Sequence, residues 1–391
     1  METTWRSPQI VVGPAATGYK YYHRPEIVDE IWSALENGSS VLITAPRRVG
    51  KTSILKYIEQ NPRNGFITCF ADIEGIDSGN RFYRSLFECL LNCMSNSKKM
   101  KTHASNFISK IGEFDLKGKI KMKETDLDYI EKTNKLISKL DKNFDNNVVL
   151  LIDELPNVLF QLHKNGKTND AELILGNLRR WRQSCKKIRF VFAGSIGIHY
   201  VVQEISGRTS SLNDLKSINC SPLDINELPV YIEWATKNAT VQYNDSMKQY
   251  LGGKIKYLTP YYINLMLDEV DLIAKKNNNK EISETDIGNA FEHVLETNHH
   301  FDDWIQRLVN YMTADDYSFA NEILTHIAHC DKITIQEIYD KAVNHKKTGN
   351  YMNYINNLEN DGYIVKLSDE YLFISPFLKA FWQRKNPNYN G

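Results

Sequence analysis

The segment from residue 41 to residue 54 constrains this chain most; it reads V-L-I-T-A-P-R-R-V-G-K-T-S-I. Its apolar start predicts a buried strand, and the residues after Thr52 continue at helical spacing. Between the two, the loop Pro46–Gly50 can direct backbone N–H groups at phosphate oxygens, with Lys51 reaching the β- and γ-phosphates and the Thr52 hydroxyl ligating Mg²⁺. The pattern G-x-x-x-x-G-K-[ST] begins with Gly, and Ala45 stands there. A plain glycine turn between a core strand and a helix is the alternative interpretation.

A second motif follows about a hundred residues later. The apolar run 147–152 ends in two acids, Asp153 and Glu154. In phosphate-transferring proteins, a central parallel strand delivers an Asp to Mg²⁺ at its carboxyl end, and Asp153 fits that role. Glu154 would then polarise a water for attack on the γ-phosphate. A strand capped by surface carboxylates explains this motif alone, but it does not explain both motifs in this order.

A third apolar run, 188–193, ends in Gly194 and Ser195. Ser195 could contact the γ-phosphate or the attacking water, although Gly-Ser alone is also typical of a turn. Strand and helix patterns alternate from about residue 19 to residue 220. This alternation predicts an α/β fold, with a parallel sheet flanked by helices on both faces.

Together these motifs resemble the P-loop ATPases of the AAA+/STAND group, and within it the archaeal-type ATPases. Residues 45–53 look like the Gly-Pro-Arg-Arg-x-Gly-Lys-Thr-Ser loop of that family, and residues 151–154 look like its Walker B strand. Residues 21–26 are similar to the segment that packs near the adenine, and Pro260 to the proline that helps to hold it. The resemblance implies ATP and Mg²⁺ as ligands and assigns nucleotide contacts to Tyr22, Arg24, Pro46, Arg47, Arg48, Val49, Gly50, Lys51, Thr52, Ser53 and Pro260. It implies Lys51, Asp153, Glu154 and Ser195 as catalytic residues, with Thr52 and Asp153 on the metal.

Bulk properties agree with an intracellular enzyme. The 391 residues suggest two or three domains. The 48 basic and 48 acidic side chains cancel, which implies no global attraction to nucleic acid or membrane. Residues 1–6 are polar and no charge-free run approaches the ~18 residues of a membrane span. Six scattered cysteines without a C-x-x-C pair indicate a reducing cytoplasm, and Cys89 and Cys93, four apart on a predicted helix, are interpreted as buried thiols rather than metal ligands.

The predicted organisation has three parts. Residues 1–221 form the P-loop ATPase domain, with a lysine-rich variable insert at 98–146; residues 222–300 form a helical lid, and residues 301–391 a winged-helix domain. Within the insert, alternating lysines predict an exposed edge strand guarded by charge, with nucleic-acid contact as the alternative. They are Lys117, Lys119, Lys121 and Lys123.

The winged helix is predicted from three short helices followed by a hairpin. The helices are Phe319–Ala328, Ile335–Ala342 and Tyr351–Glu359, and the strands are Gly362–Lys366 and Tyr371–Ile374. The third helix lacks Lys and Arg, but Asn353, Asn356 and Asn357 could contact adenine edges, and Lys346 and Lys347 could touch phosphate. Packing against a protein is the alternative use of such a domain.

Other features bear on assembly and metal binding. Arg179, Arg180, Arg182 and Arg208 are candidate arginine fingers acting in trans, if the protein assembles. The run His299–Asp303 is interpreted as a polar linker, because its potential metal ligands are contiguous. Three functions remain open: an ATPase that drives a lid and winged-helix switch, a latent nucleotide-dependent switch or scaffold that needs a partner, and a DNA-binding loader-type ATPase.

Overall fold

A computed structural model describes residues 5–96, 128–194, 197–297 and 299–389 of the chain. The chain divides into two compact units, each built from discontinuous segments. The first, here called the sheet unit, consists of Arg24–Thr44 and Lys51–Cys220. The second, the helical unit, consists of Met1–His23, Ala45–Gly50 and Ser221–Gly391.

In its described residues, the sheet unit is built on five parallel strands in the order β2-β3-β4-β1-β5. They are β1 (Ser40–Thr44), β2 (Phe66–Ala71), β3 (Asn147–Ile152), β4 (Ile188–Phe192) and β5 (Leu215–Asn219). Strand β4 lies between β1 and β3, and its Phe192 is in register with Leu42 on one side and with Ile152 on the other. The central strands are buried apolar runs, as expected for a parallel sheet covered on both faces. The predicted α/β class is confirmed.

Seven helices accompany this sheet in the described residues. They are α1 (Pro25–Glu36), α2 (Lys51–Gln60), α3 (Gly79–Asn96), α4 (Tyr129–Asn143), α5 (Leu155–Lys164), α6 (Thr168–Ser184) and α7 (Ile198–Ser206). The helix expected after the P-loop is present as α2. Helix α7 follows β4, and its short apolar pattern was not recognised in the sequence.

The part of the helical unit that the structure describes carries nine helices and a small antiparallel sheet in the order β6-β8-β7. The helices are α8 (Leu228–Thr236), α9 (Asp245–Ile255), α10 (Pro260–Lys276), α11 (Glu284–Glu296), α12 (His299–Tyr311), α13 (Ala314–Cys330), α14 (Ile335–Asn344), α15 (Tyr351–Asn360) and α16 (Pro376–Lys385), and the strands are β6 (Ile333–Thr334), β7 (Ile364–Leu367) and β8 (Glu370–Phe373). One continuous apolar cluster extends from Leu223 to Trp382 and includes Ile10. The predicted lid and winged-helix segments therefore share a core, and their division into two domains remains a prediction.

Two expectations for this unit were wrong. The pattern of residues 222–239 predicts a single helix, but the helix covers only Leu228–Thr236. Asp224 accepts hydrogen bonds from the backbone and side chain of Asn226 and forms a turn before the helix. The run 299–303 is the first turn of α12 rather than a linker, and Phe301 is fully buried. Near the C-terminus, the three helices and the hairpin appear in the predicted order, with β6 and α16 in addition.

Several expectations fall outside the described residues. They include Ser195 and the lysines at positions 117, 119, 121 and 123 with their edge strand. Within the described ranges, no helix has both the length and the apolar character that crossing a bilayer requires.

Candidate functional site

The first turn of α2 and the end of β3 meet in the sheet unit. Thr52 lies in that turn, and Asp153 directly follows the last residue of β3. The Thr52 hydroxyl donates a hydrogen bond to Asp153 Oδ2 at 2.6 Å, although the two residues are 101 apart in sequence. Burial raises the pKa of Asp153, and the bond from Thr52 opposes that shift. A cation beside this carboxylate would favour its ionised form. The Thr52 hydroxyl and the Asp153 carboxylate are oxygen ligands of the kind that Mg²⁺ prefers, and they are in contact.

Glu154 follows Asp153 in an unusual backbone conformation. Its φ of 54° and ψ of 24° lie in the left-handed region, and its N–H donates to Asp153 Oδ1 at 3.0 Å. For a residue with a Cβ, this region costs about 1–2 kcal/mol. Such local strain concentrates at functional sites. Glu154 is also the N-cap of α5, so its backbone is fixed between the strand and the helix.

Gly194, which follows strand β4, lies against the first turn of α5. A Cβ added to Gly194 would lie 2.4 Å from Cδ and 2.6 Å from Cγ of Pro156, in the first turn of α5. No side chain fits there without displacing the turn that begins at Glu154. The sequence pattern marked Gly194 only as part of a strand-ending turn. Its role is to allow close packing of β4 against the start of α5.

The loop between β1 and α2 takes conformations that suit its composition. Gly50 has a φ of 105°, a value open to glycine, and Arg48 has a φ of 68°. Val49 is buried, and Lys51 begins α2 with only 7% of its surface exposed. The loop residues 45–50 belong to the helical unit, whereas α2 belongs to the sheet unit.

Both loop arginines contact side chains of the helical unit. Arg47 donates to Asp303 Oδ2 at 2.8 Å, and its guanidinium lies 5.5 Å from the ring centroid of Trp304. The Arg48 guanidinium stacks at 4.3 Å from the ring centroid of Tyr261, within the range of a cation–π interaction. These are intramolecular partners for two residues that the resemblance assigned to nucleotide.

The predicted adenine-side residues occupy different places. Tyr22 packs in the helical unit against Tyr231 and Trp234, with ring centroids 4.8 and 5.2 Å away. In the same unit, Pro260 is the first residue of α10. Arg24 lies buried in the sheet unit, where its Nη1 is 3.9 Å from the sulfur of Cys220. Ser53 lies in the first turn of α2 and is half-buried.

The arginine-finger candidates differ in availability. Arg182 donates to both carboxylate oxygens of Asp214, at 2.8 and 2.9 Å, and its side chain is only 3% exposed. Arg180 donates to Asn134 at 2.7 Å but is exposed overall, as is Arg208. Arg179 is half-buried. The bidentate pairing of the buried Arg182 side chain with Asp214 indicates that Arg182 stabilises the sheet unit internally.

The residues that were predicted to contact DNA differ in how exposed they are. Asn353 and Asn356 are exposed on α15, and Asn357 is half-buried. Lys347 forms an ion pair with Asp316 and lies 5.2 Å from the ring centroid of Tyr354, whereas Lys346 is exposed. Lys347 therefore has partners within the helical unit.

Comparison with known proteins supports the fold. No family model and no curated protein sequence matches the chain. Among solved structures, the Walker-type ATPase PABY2304 of Pyrococcus abyssi is similar, with a TM-score of 0.63 and 16% identity, covering 95% of this chain and 98% of that one. The chain has a P-loop NTPase fold. The ORC2 protein of Aeropyrum pernix, solved in ADPNP–ADP complexes, matches with a TM-score of 0.53 and 12% identity over 97% of both chains.

Proposed function

We propose that this chain binds ATP with Mg²⁺ and hydrolyses it, and that the nucleotide state drives a conformational switch. The observation that carries the proposal is the hydrogen bond between Thr52 and Asp153, which joins the P-loop helix to the acidic strand end. A hydroxyl and a carboxylate in contact are a suitable pair of Mg²⁺ ligands. When bound, Mg²⁺ would neutralise charge that develops on the phosphates.

Each proposed site residue of the sheet unit then has a distinct role. Lys51, at the start of α2, would contact the β- and γ-phosphates, where the helix dipole also favours an anion. Thr52 and Asp153 would hold the cation. Glu154 would orient a water and accept its proton as the water attacks the γ-phosphate. Ser195 would contact the γ-phosphate or that water. Contacts of Tyr22, Arg24 and Pro260 with the nucleotide remain part of the proposal, by resemblance.

Replacing Lys51 with Ala tests the proposal directly. Hydrogen bonds to charged groups contribute about 1.5–3 kcal/mol, so we expect ATP affinity to fall by about 10- to 100-fold. Binding is measured by titration with a fluorescent ATP analogue, and turnover by phosphate release. Lys56→Ala is the matched control, since it removes the same charge from the same helix; Lys56 pairs with Glu59 instead.

The outcomes separate the two parts of the proposal. Loss of binding and turnover in Lys51→Ala, with both kept in Lys56→Ala, would support an ATP site at the P-loop. Wild-type binding without turnover would favour a latent switch that awaits a partner. Equal effects of both substitutions would contradict the proposed contact of Lys51 with the phosphates.

The latent switch is a second candidate because the loop arginines already have intramolecular partners. Asp303 is 53% exposed and holds Arg47 through an ion pair of the kind usually worth about 0–1 kcal/mol. If Arg47 leaves Asp303 to contact phosphate, Asp303→Asn should tighten ATP binding by up to about five-fold. The same fluorescence titration measures this change.

Asp302→Asn is the matched control for that substitution. Asp302 is the preceding residue of α12 and pairs with Lys385 instead of Arg47. We expect it to leave ATP affinity unchanged. Weaker binding in Asp303→Asn would contradict competition and would mean that Asp303 holds Arg47 in place for the nucleotide.

A further inference from the structure

Three cysteines meet on one side of the sheet unit. Cys69 lies on the edge strand β2, and Cys89 and Cys93 lie on α3. Their three sulfur atoms all lie within 4.8 Å of one another. Across the described ranges, this is the one group of three or more Cys, His, Asp or Glu side chains with ligand atoms gathered in this way. The sequence analysis interpreted Cys89 and Cys93 as buried thiols and did not connect them with Cys69.

The fold brings these sulfurs together for identifiable reasons. A spacing of four places Cys89 and Cys93 one turn apart on the same face of a helix. That face packs on β2, where Cys69 is almost completely buried. The Cys93 thiol also lies 3.4 Å from the carbonyl oxygen of Thr68, the residue before Cys69. Cys89 and Cys93 are half-buried, whereas Cys69 is buried.

The cluster also favours negative charge at one sulfur. Hydrogen bonds from Cys69 and Cys89 lower the pKa of Cys93, whereas burial raises the pKa of Cys69. A thiolate is the form of cysteine that ligates metals.

The sulfur separations match the size of a metal–thiolate site. With metal–sulfur bonds of about 2.3 Å, three sulfurs around one ion stand roughly 3.8–4.0 Å apart. Closing the present group from 4.8 Å requires movements smaller than about 1 Å. Thiolates are soft ligands, which select Zn(II) or Cu(I) over Mg²⁺. This chemistry is distinct from the oxygen ligands Thr52 and Asp153.

We propose that Cys69, Cys89 and Cys93 together bind one thiophilic metal ion. Each thiol that is still protonated releases its proton to solvent as its sulfur–metal bond forms, and no electrons are transferred. Cu(I) would be satisfied by three sulfurs, whereas Zn(II) would take solvent as a fourth ligand from the half-exposed side. The bound ion would tie α3 to β2, the neighbour of strand β3, which Asp153 directly follows.

The test uses the full chain, stripped with a chelator under reducing conditions. Zn(II), Cu(I) and Co(II) are added separately, and bound metal is counted after desalting. We expect one equivalent of Zn(II) or Cu(I), a thiolate-to-cobalt charge-transfer absorption with Co(II), and a higher unfolding temperature with metal, because an ion that binds only the folded state stabilises it. Comparison of the Zn(II) and Cu(I) titrations decides which of these two ions the site prefers.

Single substitutions make the result specific. Cys93→Ser and Cys89→Ser change half-buried positions, and each should lower the metal affinity at least ten-fold. Cys69→Ser should have the same effect if the variant folds. Cys330→Ser is the control, because that thiol is exposed and remote in sequence from the cluster. Turnover of ATP should persist in metal-free Cys93→Ser, which separates this site from the proposed nucleotide site.

Two results would overturn the proposal. One is binding of less than one equivalent, or equal binding by Cys93→Ser and Cys330→Ser, since metal would then be held by unrelated thiols. The other is loss of two of the six titratable thiols in protein handled without reductant, with no metal bound by the reduced form. That result would assign the cluster to a disulfide instead.

Discussion

Glu154→Gln should lower ATP turnover by about 100-fold or more, because general-base catalysis typically contributes 10²–10⁴-fold. The amide keeps the size of the side chain and can still orient a water, but it cannot accept a proton. ATP binding should persist, since Lys51, Thr52 and Asp153 are unchanged. Single-turnover phosphate release, with enzyme in excess over ATP, measures the effect on the chemical step.

Glu154→Gly controls for damage to the fold. Glycine adopts the left-handed conformation of residue 154 without the penalty of about 1–2 kcal/mol that a side chain incurs there. We therefore expect the Gly variant to be no less stable than wild type in urea unfolding, and as slow in turnover as the Gln variant. Full turnover in Glu154→Gln would contradict the role of Glu154 and would move the search for the base to another residue.

Gly194→Ala should disturb the site without touching any proposed ligand. The new methyl group would meet Pro156 at 2.4–2.6 Å, so the first turn of α5 must move. Overpacking of this kind typically costs about 1–3 kcal/mol of stability. Because Glu154 is the N-cap of the same helix, turnover should fall together with stability. Urea unfolding and phosphate release measure the two effects.

Two further variants decide whether the contact with Pro156 is the cause. Gly176→Ala places the same methyl group on α6 where nothing lies within 4 Å, and helix propensity there predicts a gain of about 0.5–1 kcal/mol. Pro156→Ala removes the ring atoms that the methyl group would meet. The double variant Gly194→Ala/Pro156→Ala should recover most of the lost stability, and failure to recover would assign the cost to another contact.

The sequence was most informative for motifs whose residues lie close together in the chain. The apolar runs before Lys51 and Asp153 are buried strands, and the loop and the acids follow them as expected. The capping box of Ser283 and Asp286, which begins α11, is a local signal of the same kind. Such signals lie within a few residues of one another, so propensity and periodicity suffice to find them.

Features that depend on distant residues were not predictable. Nothing near Arg47 or Arg48 indicates Asp303 or Tyr261, since those partners lie more than two hundred residues later in the chain. Cys69 joins Cys89 and Cys93 only because β2 packs beside α3. The run at residues 299–303 was interpreted as a linker because its potential metal ligands are contiguous. That spacing gives no sign that Phe301 is fully buried and anchors a helix.

The discontinuous composition of the two units limits how the protein can be dissected. The six loop residues Ala45–Gly50 belong with residues 221–391, yet the chain on both sides of them belongs to the sheet unit. A fragment ending at Cys220 would retain Lys51, Asp153 and Glu154 while depriving Arg47 and Arg48 of Asp303 and Tyr261. Limited proteolysis or subcloning at this boundary would therefore separate the two loop arginines from their partners. Point substitutions in the intact polypeptide are the appropriate way to assign its chemistry.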